Sequence, residues 1–171
     1  QFERLLTSPD FLKVFTNTLI ISLYKIVILF PLPILIAILL NEVRKMWFKR
    51  SIQTIIYLPH FLSWVVIAGL FVNVLSPSGG IVNQIIMMLG FEPINFFMDN
   101  DYFRGVIIAT DGWKEAGWNA IIFIAAIAGL DPELYEAAKL DGASRIQQMF
   151  MITLPGIAST IMLLLILRIG N

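Results

Sequence analysis

Four long apolar stretches separated by short polar segments set the pattern of this chain. They occupy residues 17–40, 52–75, 105–130 and 153–170. Each comes close to the about 20 mostly apolar residues that a helix needs to cross roughly 30 Å of hydrocarbon. The first carries Pro31 and Pro33 and the second Pro59, which a bundled membrane helix tolerates because its neighbours can satisfy the freed carbonyls. The third is polar in its first third and apolar afterwards. A shorter run, residues 81–89, follows the turn cluster Ser76-Pro77-Ser78-Gly79-Gly80 and predicts a helix too short to span, lying along the outer interface and ended by Gly90. The pattern predicts an all-α, polytopic transmembrane bundle.

The charges fall between the apolar runs and orient them. Arg44, Lys45, Lys49 and Arg50 lie around the first connection, whereas residues 76–103 contain Glu92, Asp99 and Asp101 and no Lys or Arg. Positive loops stay in the cytoplasm. The first connection is therefore expected inside and the second outside, which puts residues 131–152, with Lys139 and Arg145, inside again.

Composition narrows the class further. Of 171 residues, 58% are hydrophobic and 14% charged, and the mean hydropathy is +0.82. A soluble domain of ordinary composition, about 25% charged, is excluded. The 12 basic and 12 acidic residues cancel, so no global field points to nucleic acid. With no cysteine and one histidine, thiolate chemistry and a multi-histidine metal site are ruled out, and no cofactor or metal is expected. The chain starts at Gln1 without a leader-like segment and stops at Asn171 directly after an apolar run. It is read as one partial membrane domain, residues 1–171, incomplete at both ends.

The polar segment 131–152 carries the strongest local signals. Asp131 suits an N-cap, Pro132 the first helical position, Glu133 the positive end of the helix dipole, and Gly142 a left-handed end. On this short helix Leu134, Ala137, Ala138 and Asp141 share one side, giving a low surface that another protein can approach closely. A second amphipathic helix is expected over residues 143–151, before the break at Leu154-Pro155.

Glu136-Ala137-Ala138, three residues, Gly142, nine residues, Ile152, one residue and Leu154-Pro155 together resemble the signature loop of permease subunits of bacterial binding-protein-dependent ABC importers. Tyr57-Leu-Pro-His-Phe and Trp113-Lys-Glu-Ala-Gly-Trp-Asn look like the carbohydrate-uptake branch, for oligosaccharides and polysaccharide fragments. The resemblance implies a type I importer permease fold in the bacterial cell membrane and no enzymatic activity of its own. It also implies partners: cytoplasmic ABC ATPase subunits, a second, non-identical permease, an extracellular solute-binding protein and membrane lipid. The loop would be a coupling helix seated on the ATPase, with Glu136 orienting it, Ala137 and Ala138 permitting close approach and Gly142 making the turn. No G-x-x-x-x-G-K-[ST] loop is present, so the ATPase belongs to a partner.

Charge within a membrane helix is a functional-site candidate by default. In the third stretch Asp111, Lys114, Glu115 and Trp118 follow helical spacing, with Asn119 beside them; carboxylate, ammonium, indole and amide suit a sugar's hydroxyls and apolar face. The alternative for the same residues is an ion-pair and tryptophan anchor at the outer interface. Asn73 is a further pathway candidate. Lys25 is expected to snorkel to the interface, His60 to be a hydrogen-bonded packing residue, and Met46 and Trp47 to be interfacial anchors. Two other classes stand beside the importer. An ion-gradient-driven carrier would show paired buried ionisable groups or half-helix breaks at matching positions, and the sequence displays neither. An intramembrane enzyme finds little catalytic material here. Another importer cargo, such as an amino acid, peptide or ion, also fits the loop.

Overall fold

The computed structural model describes residues 9–170, and every regular element among them is helical. The chain opens with one rod, Phe11–Glu42, long and apolar enough to cross a membrane. It is made of α1 (Pro9–Tyr24), a π-helical turn (Lys25–Leu29) and α2 (Pro31–Glu42). The wide turn sits just before Pro31 because a proline ring clashes with the carbonyl four residues back and offers no N–H to it. Letting the Phe30 N–H reach back five residues to the Lys25 carbonyl, at 3.1 Å, relieves that crowding without ending the helix. The same device recurs before Pro155, where a π-helical turn spans Met149–Thr153.

The second stretch differs from the straight span expected for residues 52–75. It folds as α3 (Met46–Tyr57), a 3-10 turn (Leu58–Phe61) and α4 (Trp64–Leu75), the two arms meeting at 102°. Pro59 tightens the turn, Leu62 goes extended, and Ser63 starts a new helix by accepting the Val66 N–H on its hydroxyl. A proline in the sequence announces strain, but whether the helix kinks or breaks is decided by what satisfies the freed carbonyls.

After α4, α5 (Ile81–Met88) is followed by Gly90 at φ +86°. Asn83, fully buried, knots this segment: its amide donates to the carbonyls of Leu75, Ser76 and Ile94, and its oxygen accepts the Ile94 N–H at 2.7 Å.

Asp99 caps α6 (Asn100–Ala128), 29 residues that rise about 43 Å at 1.5 Å each. Despite its length, α6 is not among the helices apolar enough to pass as a span by composition. In its polar first half Thr110 and Lys114 are buried, while Asp101, Tyr102 and Trp113 stay exposed. After it come α7 (Pro132–Leu140), α8 (Arg145–Gln148), the second π-helical turn, α9 (Leu154–Gly156) and α10 (Ala158–Ile169). The expected last span, 153–170, is likewise bent, by 58° between Arg145–Gly156 and Ala158–Ile169.

The core lies where α2 runs along the apolar half of α6 and the start of α10 closes over both: Ala37, Ile38, Ala120, Phe123, Ile127 and Ile157 are buried together, with Phe30 edge-on to Phe123. By contrast Val65, Ile55, Leu163, Ile166 and Leu167 are exposed over wide areas, a surface that a water-soluble monomer could not carry.

Closest approach occurs where α3 crosses α6. A Cβ added at Gly117 would stand 2.0 Å from the Ile56 carbonyl oxygen. Gly117→Ala is expected to force the two helices apart and to destabilise the protein by about 1–3 kcal/mol, the range for overpacking. Thermal unfolding in detergent should show a lowered transition for Gly117→Ala and little change for Gly69→Ala, where the added methyl meets nothing.

Candidate functional site

Two clusters gather the candidate residues, one midway along α6 and one on the hairpin 131–152. In the first, the break after the 3-10 turn leaves carbonyls without helical partners inside the protein. Lys114, only 5% exposed, fills that need: its ammonium donates to the His60 carbonyl at 2.6 Å and the Leu62 carbonyl at 3.0 Å, and stands 5.4 Å from the Trp64 ring centre. Its charge is balanced by Glu115 at 3.6 Å. Glu115 in turn meets His60 Nδ1 at 2.9 Å. The His60 ring lies flat on Trp118, centroids 4.3 Å apart and planes 1° from parallel, with Phe61 edge-on to Trp118. His60 is thus the hydrogen-bonded packing residue expected, and it also faces the polar cluster.

Asp111 turns to another side of α6. Its carboxylate, 13% exposed, is 3.0 Å from Lys25 and 3.8 Å from Arg168. Lys25, expected to snorkel, has a partner in this carboxylate and keeps 32% of its side chain exposed. Asp111, Glu115, Asn119 and Arg168 line one cavity of about 180 Å³, closed by Leu29, Phe30, Pro33, Phe123 and Leu164. Lys114 and Trp118 do not line it. The helical stripe predicted from spacing is therefore divided: three members face a cavity, one fastens a broken helix, and one carries an aromatic stack. Asn73 stands apart, its amide bonded to the Gly69 carbonyl of its own helix.

The hairpin is built by its caps. Asp131 accepts the Glu133 N–H at 2.9 Å, Pro132 opens α7, and Gly142 follows it at φ +80°. The Gly142 N–H reaches the Lys139 carbonyl and the Ala143 N–H the Ala138 carbonyl, the paired bonds of a Schellman end. Ser144 and Gln147 then cap α8 reciprocally. Glu136, Ala137 and Asp141 are exposed, Ala138, Ile152 and Leu154 half-buried, and Pro155 exposed. Two ties bind the hairpin to the spans: Arg145 to Glu42 at the end of α2, 2.7 Å, and the Tyr135 hydroxyl to that of buried Thr153, 2.9 Å. Between them lies a wide cleft of about 760 Å³ lined by Arg44, Tyr135, Lys139 and Gln148, among others. No group of three or more His, Asp or Glu side chains among the described residues could hold a metal.

A helical membrane bundle with a broken second span, an internal polar cluster and a capped polar hairpin between its last two arms defines a class: a multi-span membrane transport component. Residues 29–171 match the family described as "Binding-protein-dependent transport system inner membrane component", and the chain belongs to that family. It is 50% identical to the polygalacturonan/rhamnogalacturonan transport system permease protein YteP of Bacillus subtilis (strain 168), across all of this chain and 53% of that protein. It is 46% identical to Protein LplB of the same organism, across 99% of this chain and 54% of that one. A chain in the crystal structure of a bacterial ABC transporter that imports the acidic polysaccharide alginate superposes with a TM-score of 0.96 at 43% identity, covering 99% of this chain and 59% of its own. The chain thus spans about half the length of the curated relatives it matches. Its fold is that of the type I importer permeases, all-α as the sequence predicts.

Sequence reasoning missed Arg168 and the second role of His60. Arg168 is a lone charge in an apolar run, visible but without a partner at any helical spacing; His60 lies 55 positions from the carboxylate it meets. For the fastening by Lys114, the expected outcome of Lys114→Met is a loss of about 1–3 kcal/mol for each carbonyl left without a donor. Apparent melting temperature in detergent measures this, and Lys114→Gln, which keeps an N–H donor pair, should recover part of the loss.

Proposed function

We propose that the chain forms the membrane-spanning part of a permease in an ATP-driven importer of a sugar or oligosaccharide. It is not an enzyme in this reading; hydrolysis belongs to cytoplasmic ABC ATPase subunits, delivery to an extracellular solute-binding protein, and the other half of the path to a second permease. The observation that carries the reading is the exposed hairpin. α7 is held rigid by caps at both ends and presents Ala137 and Leu134 outward, and its hairpin is tied to α2 through Arg145 and to the second π-helical turn through Tyr135. Such a helix can receive a push from a partner and pass it to two spans. The family membership, and relatives named for polysaccharide and oligosaccharide transport, support the carbohydrate cargo over an amino acid, peptide or ion.

Substrate contact is assigned to the middle of α6. Asp111, Glu115 and Asn119 offer hydrogen-bonding groups to a cavity, while the His60–Trp118 aromatic stack lies outside its lining. Lys114 takes a positioning role in this scheme, setting the break on which His60 sits. Asn73 remains a weaker pathway candidate at the outer arm. Paired ionisable groups and a broken helix are also what an ion-driven carrier would contain, contrary to what the sequence displays; the hairpin, which such a carrier does not need, favours the ATP-driven reading.

Coupling is assigned to Glu136, Ala137, Ala138, Asp141, Gly142, Ile152, Leu154 and Pro155. A β-branched residue at the left-handed Gly142 position costs about 1–2 kcal/mol locally and misdirects the end of α7. In proteoliposomes holding the full-length permease with its partners, Gly142→Val is expected to lower sugar uptake at least tenfold while the protein stays inserted. A cysteine placed at Ala137 should crosslink to the ATPase subunit in the unmodified background. Normal uptake by Gly142→Val, or no crosslink from position 137, counts against the reading.

A further inference from the structure

Five ionisable side chains converge around the middle of α6, and their charges do not cancel. Lys25, Lys114 and Arg168 face Asp111 and Glu115, three cations against two carboxylates, leaving one positive charge when His60 is neutral. The surplus can be located. Lys25 takes Asp111 at 3.0 Å, and Lys114 has two carbonyls and Glu115. Among the described residues Arg168 holds only the longer contact to Asp111, 3.8 Å, and it lines the 180 Å³ cavity. An arginine presents five N–H donors in a planar fork that fits a carboxylate through two parallel bonds, so most of its capacity is unspent. A guanidinium with donors to spare beside a cavity is a ready site for an anionic group.

The rest of the wall says which kind. The lining carries one cation, Arg168, beside two hydrogen-bond-accepting carboxylates, Asp111 and Glu115, and the Asn119 amide. A sugar acid answers both sides at once, giving its carboxylate to Arg168 and its hydroxyl donors to Glu115 and Asn119. The cavity exceeds the roughly 150 Å³ that admits a benzene ring, so a six-membered sugar ring is a reasonable occupant. Resting on the carbohydrate-importer reading, we infer that this cavity is a subsite for a uronic acid unit and that Arg168 is the residue that selects its carboxylate.

The test uses the full-length permease assembled with its partners, and two labelled probes of equal length: a galacturonate trisaccharide and the same trisaccharide with its carboxyls reduced to alcohols. Direct binding to the complex without the solute-binding protein is measured first, so that the solute-binding protein's own selectivity does not enter, and uptake second. Arg168→Gln is expected to weaken binding of the acidic trisaccharide at least tenfold and to leave the reduced one within twofold. Arg168→Lys, which keeps the charge but not the fork, should fall between. Rising salt should weaken only the acidic probe, and only in proteins that keep a cation at 168. Equal loss of both probes in Arg168→Gln and Arg168→Lys, or no loss of either, overturns the inference while leaving the importer intact. A wild-type complex that neither binds nor transports either trisaccharide overturns the carbohydrate reading itself, and the inference with it.

Discussion

A helix that breaks inside a membrane protein must find donors for the carbonyls it frees, because hydrocarbon supplies none. Here that requirement is met by one buried ammonium, Lys114, bonded to the carbonyls of His60 and Leu62. Much of the polar interior follows from it. A buried cation needs a counter-charge, and Glu115 is the next residue on α6. Glu115 in turn offers its second oxygen to His60, which the break has brought to the same level, and His60 lies flat on Trp118. One backbone defect thus gathers ammonium, carboxylate, imidazole and indole at mid-helix, with the ammonium buried and the indole partly exposed.

The same economy governs the opposite end of the bundle. Two prolines that would crowd a regular helix, Pro31 and Pro155, are each preceded by a π-helical turn, so the spans bend locally instead of ending. The hairpin between the last arms is anchored to both: Arg145 bonds to Glu42 at the foot of the first rod, and Tyr135 bonds to Thr153 within the second π-helical turn. α2 is packed against α6 through Ala37, Ala120 and Phe123, with small residues that admit close contact and little slack. The hairpin is therefore joined to the foot of α2 and to the irregular turn of the last span, with the tight core between them.

The hairpin was legible in the sequence because its signals are local. Asp131, Pro132 and Gly142 each specify a backbone conformation within a turn of themselves, and the structure adopts those conformations. Helical class was legible for a similar reason, since length and apolarity act along one segment. What could not be read are the features decided by contacts distant in sequence. The 102° bend depends on Lys114 reaching back more than 50 positions. Lys25 looks like a snorkelling lysine until Asp111, 86 positions later, is placed beside it. The stripe of Asp111, Lys114, Glu115 and Trp118 has helical spacing, yet α6 is surrounded, so one stripe meets three environments. Asn83, an ordinary polar residue in a short helix, becomes a fully buried knot only when Ile94 folds over it.

These contacts also separate polar groups that hold the fold from those with capacity to spare. Lys114 has three N–H donors and three acceptors in reach, two carbonyls and Glu115, so nothing is left for a ligand. Asn83 is similarly spent. By contrast Glu115 and Asn119 border open space, and Arg168 offers five donors to one distant carboxylate. Polarity at membrane depth is therefore a weak guide to function when taken alone, because a broken helix needs it for its own satisfaction. Residual bonding capacity beside a cavity is the stronger one, and on this chain it selects the face of α6 that looks toward α10 over the face that holds α3 and α4.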